Sequence, residues 1–228
     1  MTIIAARVQA VKARIEAAAL AVGRKPSEVR LVAVSKSFSD KEIAEAYRAG
    51  QLAFGENFVQ EAIEKVASLA GLMIEWSFIG PVQSNKTRLI AENFDWVQSV
   101  DRLKIAERLA LARPAGRPPV QVCVQVNVSQ EASKSGVMPE QALALSQQVA
   151  RLSGIRLRGL MAIPEPTRDV ASQRRQFRML REIRDDIVRR GIALDTLSMG
   201  MSDDLEAAIA EGSTLVRVGR AIFGPRPA

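Results

Sequence analysis

The 228-residue chain contains no histidine, and that absence excludes more function classes than any single motif supplies. Histidine is the commonest metal ligand and the commonest general base near neutral pH. Zinc hydrolases, Ser-His triads and His-based dehydrogenases are therefore disfavoured. The one cysteine, Cys123, can form no internal disulfide and cannot alone make a thiolate metal site. With one tyrosine, Tyr47, the stock of proton-transfer groups is thin. Neither a metal site nor a catalytic residue is expected. No apolar run approaches the length needed to span a bilayer. The N-terminal stretch MTIIAARVQAVKARIEAAALAVG carries charges every few residues and lacks a signal-peptide core, so it reads as an amphipathic helix. The cytoplasm is the expected location.

What is present is an ordinary globular composition, 47% hydrophobic and 25% charged, with ample material for a core. The net charge of +7 raises the possibility of nucleic acid. Eight of the 24 arginines lie between Arg168 and Arg190, in RDVASQRRQFRMLREIRDDIVRR. Phe177, Leu180, Ile183, Ile187 and Val188 recur there at helical spacing, which leaves the arginines on a solvated face. No aromatic residues interleave with them as a single-strand binding platform would require. Nucleic acid is not the expected partner.

Strand-like apolar runs occur at 31–35 (LVAVS), 52–55 (LAFG), 74–80 (IEWSFIG), 94–100 (FDWVQSV), 120–128 (VQVCVQVNV), 155–163 (IRLRGLMAI), 194–199 (LDTLSM) and 214–219 (TLVRVG). Amphipathic, alanine-rich stretches separate them. Eight such units in this length predict an α/β fold, one (βα)₈ TIM barrel over residues 1–228, with an extra helix in front. RPAGRPP (113–119) is a short connection, not a linker. In the fifth run, Val120, Val122, Val124, Val126 and Val128 alternate with Gln121, Cys123, Gln125 and Asn127. A barrel would turn the valines outward onto helices and the polar set inward, with Asn127 nearest the C-terminal mouth.

Lys36 closes the first run, LVAVSK. An ammonium at the inner end of a strand costs free energy unless it snorkels to water or something uses it. In a barrel that position is the mouth, where active sites form, and lysine forms Schiff bases with carbonyls. Barrels often bind phosphate with the loops after strands seven and eight. Here those loops read SMGMSDD (198–204) and RVGRAIFG (217–224). Ser198, Gly200 and Ser202 precede a helix, and Gly219 and the amide of Arg220 end strand eight. Taken singly, these are a helix cap and two turn glycines. Together, across the mouth from a lysine, they describe a site for a phosphorylated aldehyde. Pyridoxal 5′-phosphate (PLP) is such a compound.

The segments LVAVSK, FGENFVQEAIEK, WSFIGPVQSNK, SKSG, RGLMAIP, LSMGMSDD and AIFG resemble, in order, the motifs of the pyridoxal phosphate homeostasis proteins. That family is similar to the barrel domain of alanine racemases without the second domain. The resemblance implies that Lys36 carries PLP as a Schiff base. It implies that Ser202, Gly219 and Arg220 surround the phosphate with Ser198 nearby, that Arg217 faces the pyridine nitrogen, and that Asn57 and Met201 are pocket residues. Two departures accompany it: Ser77 stands where the family usually has histidine, and Arg220 where it usually has a small hydroxyl residue.

Racemisation needs a proton-transfer group on each face of the substrate Cα, and beyond Lys36 this sequence offers no second one. An arginine against the ring nitrogen also weakens the cofactor as an electron sink. The expected function is PLP binding in vitamin B6 and amino-acid homeostasis, without a defined reaction. A weak PLP-dependent racemase or lyase is the alternative. A monomer is expected, with PLP-dependent apoenzymes as candidate partners.

Overall fold

The computed structural model describes residues 2–129 and 135–225. Ser133 and Lys134 of the SKSG motif lie outside the described residues. Eight parallel strands close into a barrel in sequence order: β1 (Arg30–Val34), β2 (Ala53–Glu56), β3 (Glu75–Phe78), β4 (Trp96–Val100), β5 (Val120–Gln125), β6 (Ile155–Met161), β7 (Thr196–Ser198) and β8 (Leu215–Val218). Each falls within one of the eight predicted runs, or within a residue of it. The helices are α1 (Ile3–Ala21), α2 (Asp40–Arg48), α3 (Val59–Ser68), α4 (Thr87–Asn93), α5 (Leu103–Ala112), α6 (Ala142–Val149), α7 (Val170–Arg189), α8 (Leu205–Ala210) and the short α9 (Arg220–Phe223). The fold is the expected single-domain TIM barrel with a leading helix.

Alternation in β5 sorts its side chains as the barrel requires. The five valines join the large core that also holds Ile105 and Leu109 of α5 and Val149 of α6. Cys123 instead packs with Trp96 and Met161 inside the barrel. Burial pushes its thiol up to about 12, against the attraction of Arg217 and Arg158. Trp96 opens β4 and plugs the N-terminal end of the barrel, with the guanidinium carbons of Arg30 and Arg158 at 5.7 and 5.1 Å from its ring centroid.

Thr2 caps α1 by accepting a hydrogen bond from the amide of Ala5. Ile4, Val8, Val11, Ile15 and Ala19 then form one buried stripe at spacings of three and four. That stripe packs α1 against α2, α8 and α9, so these elements together complete the helical ring. On α7, the arginines are drawn into ion pairs. Arg174, Arg178 and Arg181 converge on Glu211, which is 1% exposed, while Arg189 and Arg190 pair with Asp186. The basic face of this helix is thus largely neutralised by the protein itself.

Candidate functional site

A cavity of about 860 Å³ opens at the C-terminal mouth of the barrel. Seven of the eight residues singled out from the sequence line it: Lys36, Asn57, Met201, Ser202, Arg217, Gly219 and Arg220. Phe38, Ile79, Ile163 and Val34 supply apolar wall. Lys36 and Val34 share the inward parity of β1, which carries the lysine from strand end into the mouth. Asn57 follows β2 directly, and its backbone is packed against Gly80, where any Cβ would overlap the Asn57 carbonyl oxygen. Only glycine permits that approach. Asn127 is buried but is not among the residues lining the cavity.

The eighth residue, Ser198, lies beneath the cavity floor, fully buried. Its hydroxyl accepts from Arg217 Nη1 and donates to Gln98 Oε1 at 2.6 Å. Gln98 Nε2 in turn donates to Ser77 Oγ at 3.3 Å. A directed chain therefore runs Arg217, Ser198, Gln98, Ser77 through the barrel interior. Arg217 is 3% exposed, and its Nη2 donates to the carbonyl of Ala162 at 2.8 Å. None of the ion pairs among the described residues involves it. Burial brings its guanidinium down to about 10, against the attraction of Asp204.

The β7–α8 loop turns at Gly200 with φ 95°, a left-handed value that glycine adopts without strain. Ser202 does not cap the following helix. Asp204 occupies that N-cap position, its Oδ1 accepts from the amide of Met201 at 2.5 Å, and burial raises its carboxyl. The Ser202 hydroxyl instead accepts from the amide of Ala221 at 3.3 Å, which joins the loops after β7 and β8. Its carbonyl accepts from Arg14 Nη2 at 3.0 Å, and Arg14 is anchored bidentately on Glu206. The Arg220 side chain pairs with Asp203, another residue of the cavity wall.

A buried charged cluster stands directly behind Lys36. Lys65 Nζ donates to Glu56 Oε1 at 2.9 Å, Glu61 Oε1 at 2.5 Å and the carbonyl of Ser35 at 2.8 Å. Burial raises the Glu56 carboxyl despite Lys65. The sequence reading missed this cluster and the Gln98–Ser77 chain. The signal was present, since Glu56, Glu61 and Lys65 all fall in FGENFVQEAIEK.

Two observations test whether PLP suits these residues. Arg217 is a donor-only cation whose charge has no carboxylate within ion-pair distance among the described residues, which suits an acceptor such as a ring nitrogen. Asn57 Oδ1 is a buried acceptor without a hydrogen-bond partner, carried by a residue of the cavity wall. With a lysine amine for an aldehyde and Ser202 beside two loop backbones for a phosphate, the set fits.

The family model described as alanine racemase, N-terminal domain matches residues 7–227. The pyridoxal phosphate homeostasis protein of Pseudomonas aeruginosa is 58% identical over 226 residues, covering 99% of this chain and 97% of its own. PipY of Synechococcus elongatus, solved with PLP bound, aligns with a TM-score of 0.82 at 38% identity, over 97% of this chain and 100% of PipY. Alanine racemase of Corynebacterium glutamicum, at 16% identity and a TM-score of 0.71, covers 97% of this chain but matches 62% of its own length, and shares the fold.

Proposed function

The chain belongs to the pyridoxal phosphate homeostasis protein family, and from that premise we propose that it binds PLP on Lys36 and keeps it available in the cytoplasm without turning over a substrate. When bound, PLP supplies an aldehyde that a lysine amine captures as a Schiff base. Lys36 is the amine. The Ser202 hydroxyl and the backbone of Gly219 and Arg220 hold the phosphate, while Arg217 donates to the ring nitrogen and Asn57 and Met201 bound the pocket. Ser198 acts from below, by fixing the rotamer of Arg217.

The observation that carries this reading is the single cavity wall shared by Lys36, Arg217 and the two phosphate-side loops. Against turnover stands the nature of that wall. No histidine, tyrosine or cysteine is among its described residues, and its carboxylates are engaged, Asp203 with Arg220 and Asp204 with the Met201 amide. A monomer that yields PLP to PLP-dependent apoenzymes is the corresponding cellular role.

Borohydride reduction of the PLP-loaded protein, followed by peptide mass spectrometry, tests the assignment. The adduct is expected on the peptide bearing Lys36 and is expected to vanish in Lys36→Ala. An unchanged adduct in that variant would sink the assignment, and Lys86 and Lys134 would be tested next. Steady product formation from any amino acid would favour the racemase or lyase alternative.

A further inference from the structure

The loop that carries Lys36 adopts a conformation that its sequence does not favour. Ser37 has φ 67°, the one non-glycine residue with positive φ among the described residues. That region is sparsely populated for a residue with a Cβ, and it persists only where the surroundings impose it. The surroundings here are one face of α3. Glu61 Oε1 accepts from the Ser37 amide at 2.6 Å and from Lys65 Nζ at 2.5 Å, and Lys65 stands one helical turn further on.

Lys65 is itself 7% exposed, and its three protons are all taken, by Glu61, Glu56 and the Ser35 carbonyl. The Ser35 hydroxyl donates to the same Glu56 oxygen at 2.6 Å. On the other side, Phe38 donates its amide to the Ser35 carbonyl at 3.0 Å and stacks on Phe223, ring centroids 4.9 Å apart. The backbone is thus fixed at residues 35, 37 and 38, and Lys36 is suspended between the fixed points.

We propose that Glu61, braced by Lys65, is a positioning residue that holds the left-handed turn at Ser37 and so aims the Lys36 amine at the aldehyde. The proposal rests on the reading of Lys36 given above. In that linkage the uncharged amine attacks the carbonyl carbon, a C=N bond replaces C=O, and one water leaves. A side chain that never touches the ligand contributes by fixing the direction of approach. It contributes nothing to recognition of the ring or the phosphate, and the test uses that difference.

The experiment compares wild type, Glu61→Ala, Glu61→Gln, Ser37→Gly and Glu61→Ala/Ser37→Gly. It measures the Kd for PLP, the fraction of Lys36 fixed by borohydride, the Kd for pyridoxine 5′-phosphate, and the thermal midpoint without ligand. Pyridoxine 5′-phosphate keeps the ring and phosphate but has an alcohol where PLP has the aldehyde. Glu61→Ala is expected to weaken PLP about tenfold or more and to reduce the fixed fraction, while pyridoxine 5′-phosphate binds within about twofold of wild type. Glu61→Gln keeps an acceptor for the Ser37 amide and should fall in between. It also serves if the alanine variant does not fold. Ser37→Gly removes the cost of the turn and should restore a large part of the lost PLP affinity in the Glu61→Ala background.

Equal weakening of both ligands, a lowered thermal midpoint with PLP affinity unchanged, or no rescue by Ser37→Gly would each overturn the proposal. An adduct lost in Lys36→Ala yet indifferent to Glu61→Ala overturns the positioning role alone. An adduct that survives Lys36→Ala overturns the reading of Lys36, and the positioning role with it.

Discussion

Replacing Arg217 with methionine should leave the ligand-free protein about as stable as wild type and make the PLP complex weaker. The guanidinium is 3% exposed, and burial without a paired carboxylate brings it down to about 10. Relative to an unfolded chain, that displacement is equivalent to roughly 3 kcal/mol of destabilisation wherever the group is charged in both states. The sign follows from a depressed cation. The penalty is full at neutral pH and is relieved only as pH rises past the folded value of about 10. Methionine removes the charge while its flexible stem fills most of the vacated space. Against the gain stand two charge-assisted hydrogen bonds, to Ser198 Oγ and the Ala162 carbonyl, at about 1.5 kcal/mol each. The two sides roughly cancel, which keeps the thermal midpoint within about 4 °C of wild type for a domain of this size. PLP loses a donor to its ring nitrogen, at roughly 1.5–3 kcal/mol for a charge-assisted bond. Calorimetry without ligand and a PLP titration read the two arms. A variant that loses more than about 2 kcal/mol of stability without ligand would show that the barrel needs this charge to fold, and would refute the reasoning.

Ser202→Ala should weaken PLP by roughly 1.5–3 kcal/mol while leaving free pyridoxal, which lacks the phosphate, almost unaffected in equilibrium titrations. Equal weakening of both would assign Ser202 to joining the two loops through Ala221 and not to the ligand. Cys123, fully buried with its thiol pushed up to about 12, should resist a thiol reagent in the folded protein and react in denaturant; fast labelling of the native state would contradict the packed interior. Glu211 is buried, which raises its carboxyl, but hydrogen bonds from Arg178 and Arg174 outweigh that and leave it below the ordinary value. A depressed acid contributes stability above its unfolded pKa and loses it as pH falls through the folded one. Acid unfolding curves of wild type and Glu211→Gln should therefore converge below about pH 4, whereas a constant difference at all pH values would rule out the charge as the cause.

Most of the barrel was legible because its strands are short apolar runs bounded by polar helices, and a parallel sheet buried on both faces produces that pattern. Lys36 was legible because a lysine closing such a run is chemically out of place. Ser202, Gly219 and Arg220 were legible as positions after strands seven and eight. Ser198 was read as part of the phosphate loop, but period-two alternation in a three-residue strand turns it inward, under Arg217. The Glu61–Ser37 contact was out of reach for a different reason. It joins two elements 24 residues apart through a backbone conformation that nothing in the identity of a serine announces.

The manner in which α1 completes the helical ring bears on how the protein is made. Its apolar stripe is synthesised well before α8 and α9, which cover much of it. At translation rates of roughly 5–20 residues per second, about 10–40 s separate the two events. Throughout that interval the stripe is without those partners, and Arg14 has neither Glu206 nor the Ser202 carbonyl to engage. The loops after β7 and β8 come from the same later segment. Until then the nascent chain has no complete cavity to fill, and loading with cofactor waits on α8 and α9. Docking of α1 on those helices and completion of the two loops then fall in one step.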